Sequence, residues 1–345
     1  MKNKYLLLAD GRSTHTVKWV KALSKYFDLY LISLNGVDIA LEEYIIKDKM
    51  FVLNEQVQTS GGNFKLLFKY FELKKIVDDI SPKYINAHYL SSYGFLAALL
   101  KRSNKKIKLI QSTWGSDVLV TPFENALKRK IAHFSLSLAD LITSDSFFMS
   151  DKIDEIYHNK VTMTFPFGLE PFEIQKEIVK DEFLIFSNRA LKKNSNIDKV
   201  IEWFAKLENA HYRLIIANQG EMQPYLNALV KEHNLEKSVK FVGFLTEEEQ
   251  NSFYKKAKYY ISIPSSDSTS VSLLEAMKYG CYPIVSNLAA NREWVLDGVN
   301  GNYMDTSLTL LESEYDAISI NQYLILNKAI FEKSIEIYFE RVKKL

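Results

Sequence analysis

Apolar runs of strand length alternate with amphipathic stretches along the whole chain. YLLLA at residues 5 to 9 and LYLISL at 29 to 34 are continuous enough to be buried on both faces, as the strands of a parallel sheet are. Between them the polar loop ADGRSTHT leads into Val17, Val20, Leu23 and Tyr26, spaced for one face of a helix. The order returns with YINAH, an alanine-rich helix through GFLAALL, the strand IKLIQ, a helix around 124 to 138, LADLITSD and VTMTFPFGLEPF. Periodicity lapses near Phe167–Asp181, where Gly, Pro and charge accumulate, and resumes with EFLIFS, YRLIIA, VKFVG, YYISI and YPIVS. The pattern predicts an α/β protein of two doubly wound domains, 1–170 and 171–345. It ends in one helix with Leu326, Ala329, Ile330 and Ile337 on a stripe that Ser334 interrupts.

One stretch, SSDSTSVSLLEAMKYGCYPIVS at 265 to 286, gathers chemistry rather than core. Ser262, Pro264, Ser265, Ser266, Ser268 and Ser270 cannot pack an interior, whereas Val271, Leu273, Leu274, Ala276 and Met277 can, so a helix starts near Ser270 and Gly280 stops it. Glu275 lies one turn beyond Val271, near unpaired N–H groups that favour an anion, and could hold ribose hydroxyls beside a diphosphate. The plain alternative makes Asp267 a helix cap and Glu275 an exposed helix residue. The strand–loop–helix–strand surroundings favour a ligand site, because parallel α/β sheets bind ligands at the carboxyl ends of their strands. Arg189, Lys192 and Lys193 follow EFLIFS and suit a diphosphate, or stay as solvated surface charge. His88 and Trp114 fall at strand ends, and His15 at a helix start, either in a cleft or paired to backbone.

Composition narrows the classes. A chain of 345 residues that is 47% hydrophobic can bury a core for two domains, and a formal charge of +2 gives no global field to draw nucleic acid. The single cysteine, Cys281, excludes an internal disulfide framework and a Cys-rich zinc site. Gly11 stands alone and no GxGxxG occurs, which disfavours a nicotinamide enzyme. No apolar stretch is long enough to span a bilayer, so a cytoplasmic protein is expected. NFKLLFKYFELKKIV at 63 to 77 puts Phe64, Leu67, Phe68, Phe71 and Ile76 near one face among lysines. That is either an ordinary surface helix or one resting on anionic lipid, a peripheral contact with the inner face of the membrane.

The 265–286 stretch resembles the E-x7-E signature of family 4 of the retaining GT-B glycosyltransferases, of the glycogen synthase and group 1 type, with Asp267 in the place of the first Glu. LADLITSD, FPFGLEPF and EWVLDGVNG are similar to further phrases of that family. The resemblance implies two Rossmann-like domains with a cleft between them, the first for the acceptor, the second for a nucleotide-sugar, and a last helix crossing back to the first domain. It also implies a metal-free transfer, without cofactor, from a UDP-hexose or UDP-N-acetylhexosamine to a glycan or lipid-linked acceptor in cell-surface polysaccharide assembly.

Carried onto this chain, the resemblance gives Glu275 the ribose and Asp267 a sugar hydroxyl. The backbone of Thr269, Ser270 and Val271 would face sugar and phosphate, Arg189 with Lys193 would neutralise the diphosphate, and Gly11 would let the first loop approach it. His15, His88 and Trp114 stand on the acceptor side. Four departures mark this chain. Asp267 is one methylene short; STSV replaces Gly-Phe-Gly-Leu; Lys193 sits one residue too near Arg189, leaving Lys192 and Lys193 both open; Trp114 stands where relatives carry His. Two other readings remain: a GT-B-like sugar-nucleotide epimerase, which needs paired acids, and a non-catalytic sugar-nucleotide-binding protein, which Asp267 and Trp114 favour.

Overall fold

The computed structural model describes residues 2–55, 68–158, 162–174, 178–207, 211–304 and 316–345. By contact the chain divides into two units. Unit 1 comprises Met1–Phe165 and Glu332–Leu345; unit 2 comprises Pro166–Phe331.

Unit 1 is built on a seven-stranded sheet of β1 (Lys4–Leu8), β2 (Asp28–Ser33), β3 (Met50–Val52), β4 (Tyr84–His88), β5 (Lys108–Ser112), β6 (Leu141–Ser144) and β7 (Thr162–Thr164). Their spatial order is β3-β2-β1-β4-β5-β6-β7, and every pair is parallel. Leu6, Leu8, Ile32, Ile85 and Leu109 pack against Leu73, Val77, Leu96 and Leu100 from the helices Tyr70–Ile80 and Gly94–Ser103. Unit 2 repeats the plan with six parallel strands: β8 (Asp181–Ser187), β9 (Arg213–Ala217), β10 (Val239–Gly243), β11 (Ala257–Ser262), β12 (Tyr282–Val285) and β13 (Asn302–Tyr303), ordered β10-β9-β8-β11-β12-β13. Both faces are covered. Ile185 points into one core with Ile216 and Ile261, while its neighbours Leu184 and Phe186 enter the other with Leu273, Leu274 and Met277. That double burial is why these strands read as continuous apolar runs instead of alternating ones. Both units are thus doubly wound parallel α/β sheets, as the pattern predicts.

Two expected helices differ in detail. Residues 63–67 of the basic amphipathic segment lie outside the described residues. The helix that follows, Tyr70–Ile80, buries Leu73, Val77 and Ile80 at the spacing i, i+4, i+7, so Phe68 and Phe71 face outward at 84% and 77% exposure. The closing segment is two helices, Ala317–Lys328 and Phe331–Lys343, because the backbone of Ala329–Phe331 bonds to another segment. Leu169 donates its N–H to the Ala329 carbonyl at 2.6 Å and accepts from the Phe331 N–H at 3.0 Å. Past the break the buried stripe is Ile335, Tyr338 and Val342, and Ile337 is exposed. In unit 1 the Tyr338 hydroxyl meets that of Tyr5 at 2.6 Å and accepts from Asn86 Nδ2 at 3.2 Å.

Gly168 makes this junction possible, since a Cβ there would lie 2.0 Å from the Ala329 carbonyl oxygen. A backbone atom cannot swing aside as a side chain can. Gly168→Ala should therefore destabilise unit 2 by about 1–3 kcal/mol, the range for overpacking a fixed interior. Urea unfolding followed by circular dichroism measures it, and an unchanged midpoint would show that the junction yields freely.

Candidate active site

In unit 2 the strand order reverses between β8 and β11, and at such a reversal doubly wound sheets bind ligands just beyond the strand ends. The chain puts its polar loops there. Arg189 is the second residue after β8, and Asp267 lies in the hydroxyl-rich loop after β11. The Arg189 guanidinium reaches Asp267 Oδ2 from Nη2 at 2.9 Å and donates from Nη1 to Ser270 Oγ at 3.1 Å. Ser270 is the N-cap of the helix Val271–Lys278, its backbone extended and its Oγ accepting from the Leu273 N–H at 3.4 Å. One hydroxyl thus serves both the helix end and the arginine.

This arrangement has an electrostatic consequence. A cation at the positive end of a helix dipole is unfavourable, and Asp267 offsets it. With side chains only 18% and 24% exposed, the pair is partly removed from screening water. A dianion at the same place would compensate the guanidinium and the helix N-terminus together. One turn further in, Glu275 Oε2 accepts from Gln250 Nε2 at 2.9 Å and from the Tyr254 hydroxyl at 3.2 Å.

The remaining residues singled out for this unit fall less tightly. Thr269 is buried and accepts from Trp294 Nε1 at 3.4 Å, so its side chain serves the loop's packing, and Val271 opens the helix. Lys192 and Lys193 are exposed at the start of the short turn Lys193–Ser195, and among the described residues neither has an ion pair. The structure therefore brings together Arg189, Asp267 and Ser270 but leaves the two lysines outside that contact.

Unit 1 gathers a different set. Its strand order reverses between β1 and β4, and His88 is the last residue of β4. Its ring lies 5.0 Å from that of Trp114 and 5.6 Å from that of Trp19, and the His15 ring lies 4.9 Å from Trp114. His88 is buried, and its Nε2 has no hydrogen-bond partner among the described residues. Burial holds both imidazoles below the usual range, His15 at about 4 and His88 at about 3, with Lys18 adding to the first and His15 to the second. Gly11, in the loop after β1, is required by a neighbouring loop: a Cβ there would meet the Gly36 carbonyl oxygen at 2.6 Å.

Sequence reading missed the residue that organises this cluster. The buried Asp117 carboxylate accepts the N–H groups of Leu90, Trp114 and Gly115, each at 3.0 Å, and so ties the loop after β4 to the loop after β5. Desolvation pushes its carboxyl above the ordinary range, opposed by those N–H donors. An Asp three residues after Trp114 in STWGSD was the available signal. In unit 2, Gln250 and Tyr254 were missed, because nothing in FYKKAKYY marks a tyrosine hydroxyl that reaches another helix.

Comparison with known proteins agrees with the two-unit architecture. The family described as "Glycosyl transferase 4-like" matches residues 4–146, and that described as "Glycosyl transferases group 1" matches residues 169–310. The chain is 25% identical over 226 residues to the uncharacterized glycosyltransferase MJ1607 of Methanocaldococcus jannaschii, covering 63% of this chain and 55% of that relative. It is also 25% identical over 299 residues to the N-acetylgalactosamine-N,N'-diacetylbacillosaminyl-diphospho-undecaprenol 4-alpha-N-acetylgalactosaminyltransferase of Campylobacter jejuni, covering 80% of this chain and 77% of that one. Among solved structures, Anabaena HepE with UDP and glucose superposes at a TM-score of 0.76 and 15% identity, over 99% of this chain and 100% of that chain. Sucrose-phosphate synthase of Thermosynechococcus elongatus superposes at 0.79 and 12% identity, over 99% of both chains.

The depressed imidazoles carry a pH signature. Each binds its proton more weakly folded than unfolded, so the stability it contributes is present above the unfolded value near 6.5 and is lost as pH falls toward 4 for His15 and 3 for His88. For His88 the loss between pH 6.5 and 5 is about 2 kcal/mol. NMR titration should find both imidazoles neutral at pH 5. A midpoint above pH 6 for either would show its ring open to solvent.

Proposed function

The chain belongs to the group 1 glycosyltransferases, and from that premise we propose that it is a retaining, metal-independent enzyme. It moves a hexose-type sugar from a nucleoside diphosphate, with UDP-hexose or UDP-N-acetylhexosamine favoured, onto a glycan or lipid-linked acceptor in cell-surface polysaccharide assembly. The observation that carries this reading is the Arg189 guanidinium held over the N-terminus of the helix Val271–Lys278 by Ser270 and Asp267. Structural neighbours solved with UDP, with UDP-glucose, and with UDP and GlcNAc support the choice of donor. A lipid-linked acceptor is supported by the Campylobacter relative, named for a diphospho-undecaprenol acceptor, and by the Streptococcus pneumoniae relative named alpha-monoglucosyldiacylglycerol synthase. The outward Phe68 and Phe71, beside Lys74 and Lys75, suit a protein resting on a bilayer.

In this reading unit 2 holds the donor and unit 1 the acceptor. Glu275 binds ribose hydroxyls, and the backbone of Thr269, Ser270 and Val271 faces the sugar and phosphates. The bond from sugar C1 to the diphosphate oxygen breaks while Arg189, Lys193 and the helix start stabilise the charge that develops on the leaving group. The acceptor hydroxyl attacks C1 on the face the diphosphate leaves, and its proton passes to a diphosphate oxygen. No side-chain base is required. Asp267, already paired with Arg189, is poorly placed to recruit a divalent cation. His15, His88 and Trp114 shape the acceptor side.

The test is incubation with radiolabelled UDP- and GDP-sugars, with and without EDTA. Slow hydrolysis of one donor, unaffected by chelator, is expected, and Arg189→Ala should lower turnover roughly a hundredfold with a smaller effect on donor affinity. Lys193→Ala should act in the same direction and Lys192→Ala should not. Conversion of the sugar to an epimer, binding without turnover, or an activity restored only by manganese or magnesium would each overturn the proposal.

A further inference from the structure

Beneath Glu275 runs a chain of buried hydrogen bonds that the proposed donor contacts do not use. The Tyr260 hydroxyl, on β11, donates to Asn188 Oδ1 at 3.0 Å; Asn188 Nδ2, just past β8, donates to the Tyr254 hydroxyl at 2.9 Å. The Tyr254 hydroxyl, on the helix Glu247–Lys256, then donates to Glu275 Oε2 at 3.2 Å. Tyr260 and Tyr254 are fully buried and Asn188 is 7% exposed.

The polarity of this chain is fixed. A tyrosine hydroxyl has one proton and the Glu275 carboxylate only accepts, so Tyr254 donates to it and receives from the Asn188 amide nitrogen, which turns the amide oxygen to Tyr260. Tyr254 receives a hydrogen bond there, and its own proton is committed to the carboxylate. Gln250 Nε2 brings a second donor to the same oxygen at 2.9 Å. With Oε2 so held, the carboxylate loses its rotational freedom.

We infer that Tyr254 is a positioning residue for the nucleotide's ribose, its hydroxyl aligning Glu275 in advance so that the carboxylate meets two ribose hydroxyls without reorganising. This rests on Glu275 being the ribose ligand, as proposed above. Preorganisation of this kind strengthens binding by removing the ordering that would otherwise oppose it. The chain also passes beside the diphosphate arginine: Asn188 precedes Arg189, and its carbonyl accepts from Asn218 Nδ2 at 3.3 Å. The loop that presents Arg189 and the side chain that presents Glu275 therefore share one anchor. Burial raises the Tyr254 phenol well above its ordinary value, with the neighbouring Tyr260 and the Glu275 carboxylate adding to it, so the phenol stays a donor at every pH the enzyme meets.

Tyr254→Phe removes the hydroxyl and keeps the ring, which stacks on Tyr279 at 6.1 Å and meets Phe186 edge-on at 5.3 Å. Calorimetric titration compares UDP with 2′,3′-dideoxyuridine diphosphate, on wild type, Tyr254→Phe, Glu275→Ala and the less buried Gln250→Ala. The inference expects Tyr254→Phe to weaken UDP about tenfold and the dideoxy nucleotide less than twofold, with KM for donor raised and kcat retained. Gln250→Ala should show the same pattern to a smaller degree, and it stands in if Tyr254→Phe fails to fold. Equal loss with both nucleotides would mean a merely structural role and would overturn the inference. So would unchanged UDP affinity in Tyr254→Phe while Glu275→Ala has lost it. Unchanged UDP affinity in Glu275→Ala would instead overturn the ribose assignment itself.

Discussion

The candidate site of unit 2 depends most on what is done with one positive charge at a helix start. A parallel sheet whose strand order reverses leaves two loops at the same end, here those after β8 and β11. The first supplies Arg189 and the second Asp267 and Ser270, and the guanidinium binds both. Left alone it would oppose the dipole of the helix Val271–Lys278, and Asp267 supplies the balancing charge. On the proposed reading, donor binding is an exchange of partners: an anion takes over from a carboxylate already in place, without moving an unpaired cation out of water.

That view also gives the short side chain at Asp267 a physical meaning. An aspartate beside Ser268, whose N–H its Oδ1 accepts at 3.0 Å, is held close to the loop backbone and so reaches the arginine at 2.9 Å. A longer acid could project past the arginine toward a sugar. The hydroxyl loop around it is tied to its surroundings by side-chain contacts, among them the hydrogen bond Thr269 accepts from Trp294.

Much of this was legible in the sequence. The strands announced themselves by unbroken apolar runs, the helix start by Ser270 followed by Val271, Leu273 and Leu274, and its end by Gly280, which adopts φ +78°. What was hidden depends on tertiary approach. Lys192 and Lys193 read like Arg189, yet only Arg189 is aimed by its strand at the helix. The outward placement of Phe68 and Phe71 shows that counting apolar residues does not fix which stripe is buried. The break at Ala329–Ile330 left no Gly or Pro in place because its cause is a partner segment distant in sequence. Asp117, Asn188 and Tyr254 act through backbone or neighbouring side chains that only folding brings near, so no local motif marks them. His88 was noticed for its position, but its lowered basicity comes from burial, with His15 adding to it.

The central claim is that a nucleoside diphosphate binds unit 2 at its strand-order reversal, on the start of the helix Val271–Lys278. Amide hydrogen exchange with and without UDP tests it directly, because ligand contact protects the N–H groups it covers. The account predicts slower exchange in residues 188–193 and 267–275, and little change in β9 and β10. Saturating UDP that leaves both of those segments unprotected would contradict it.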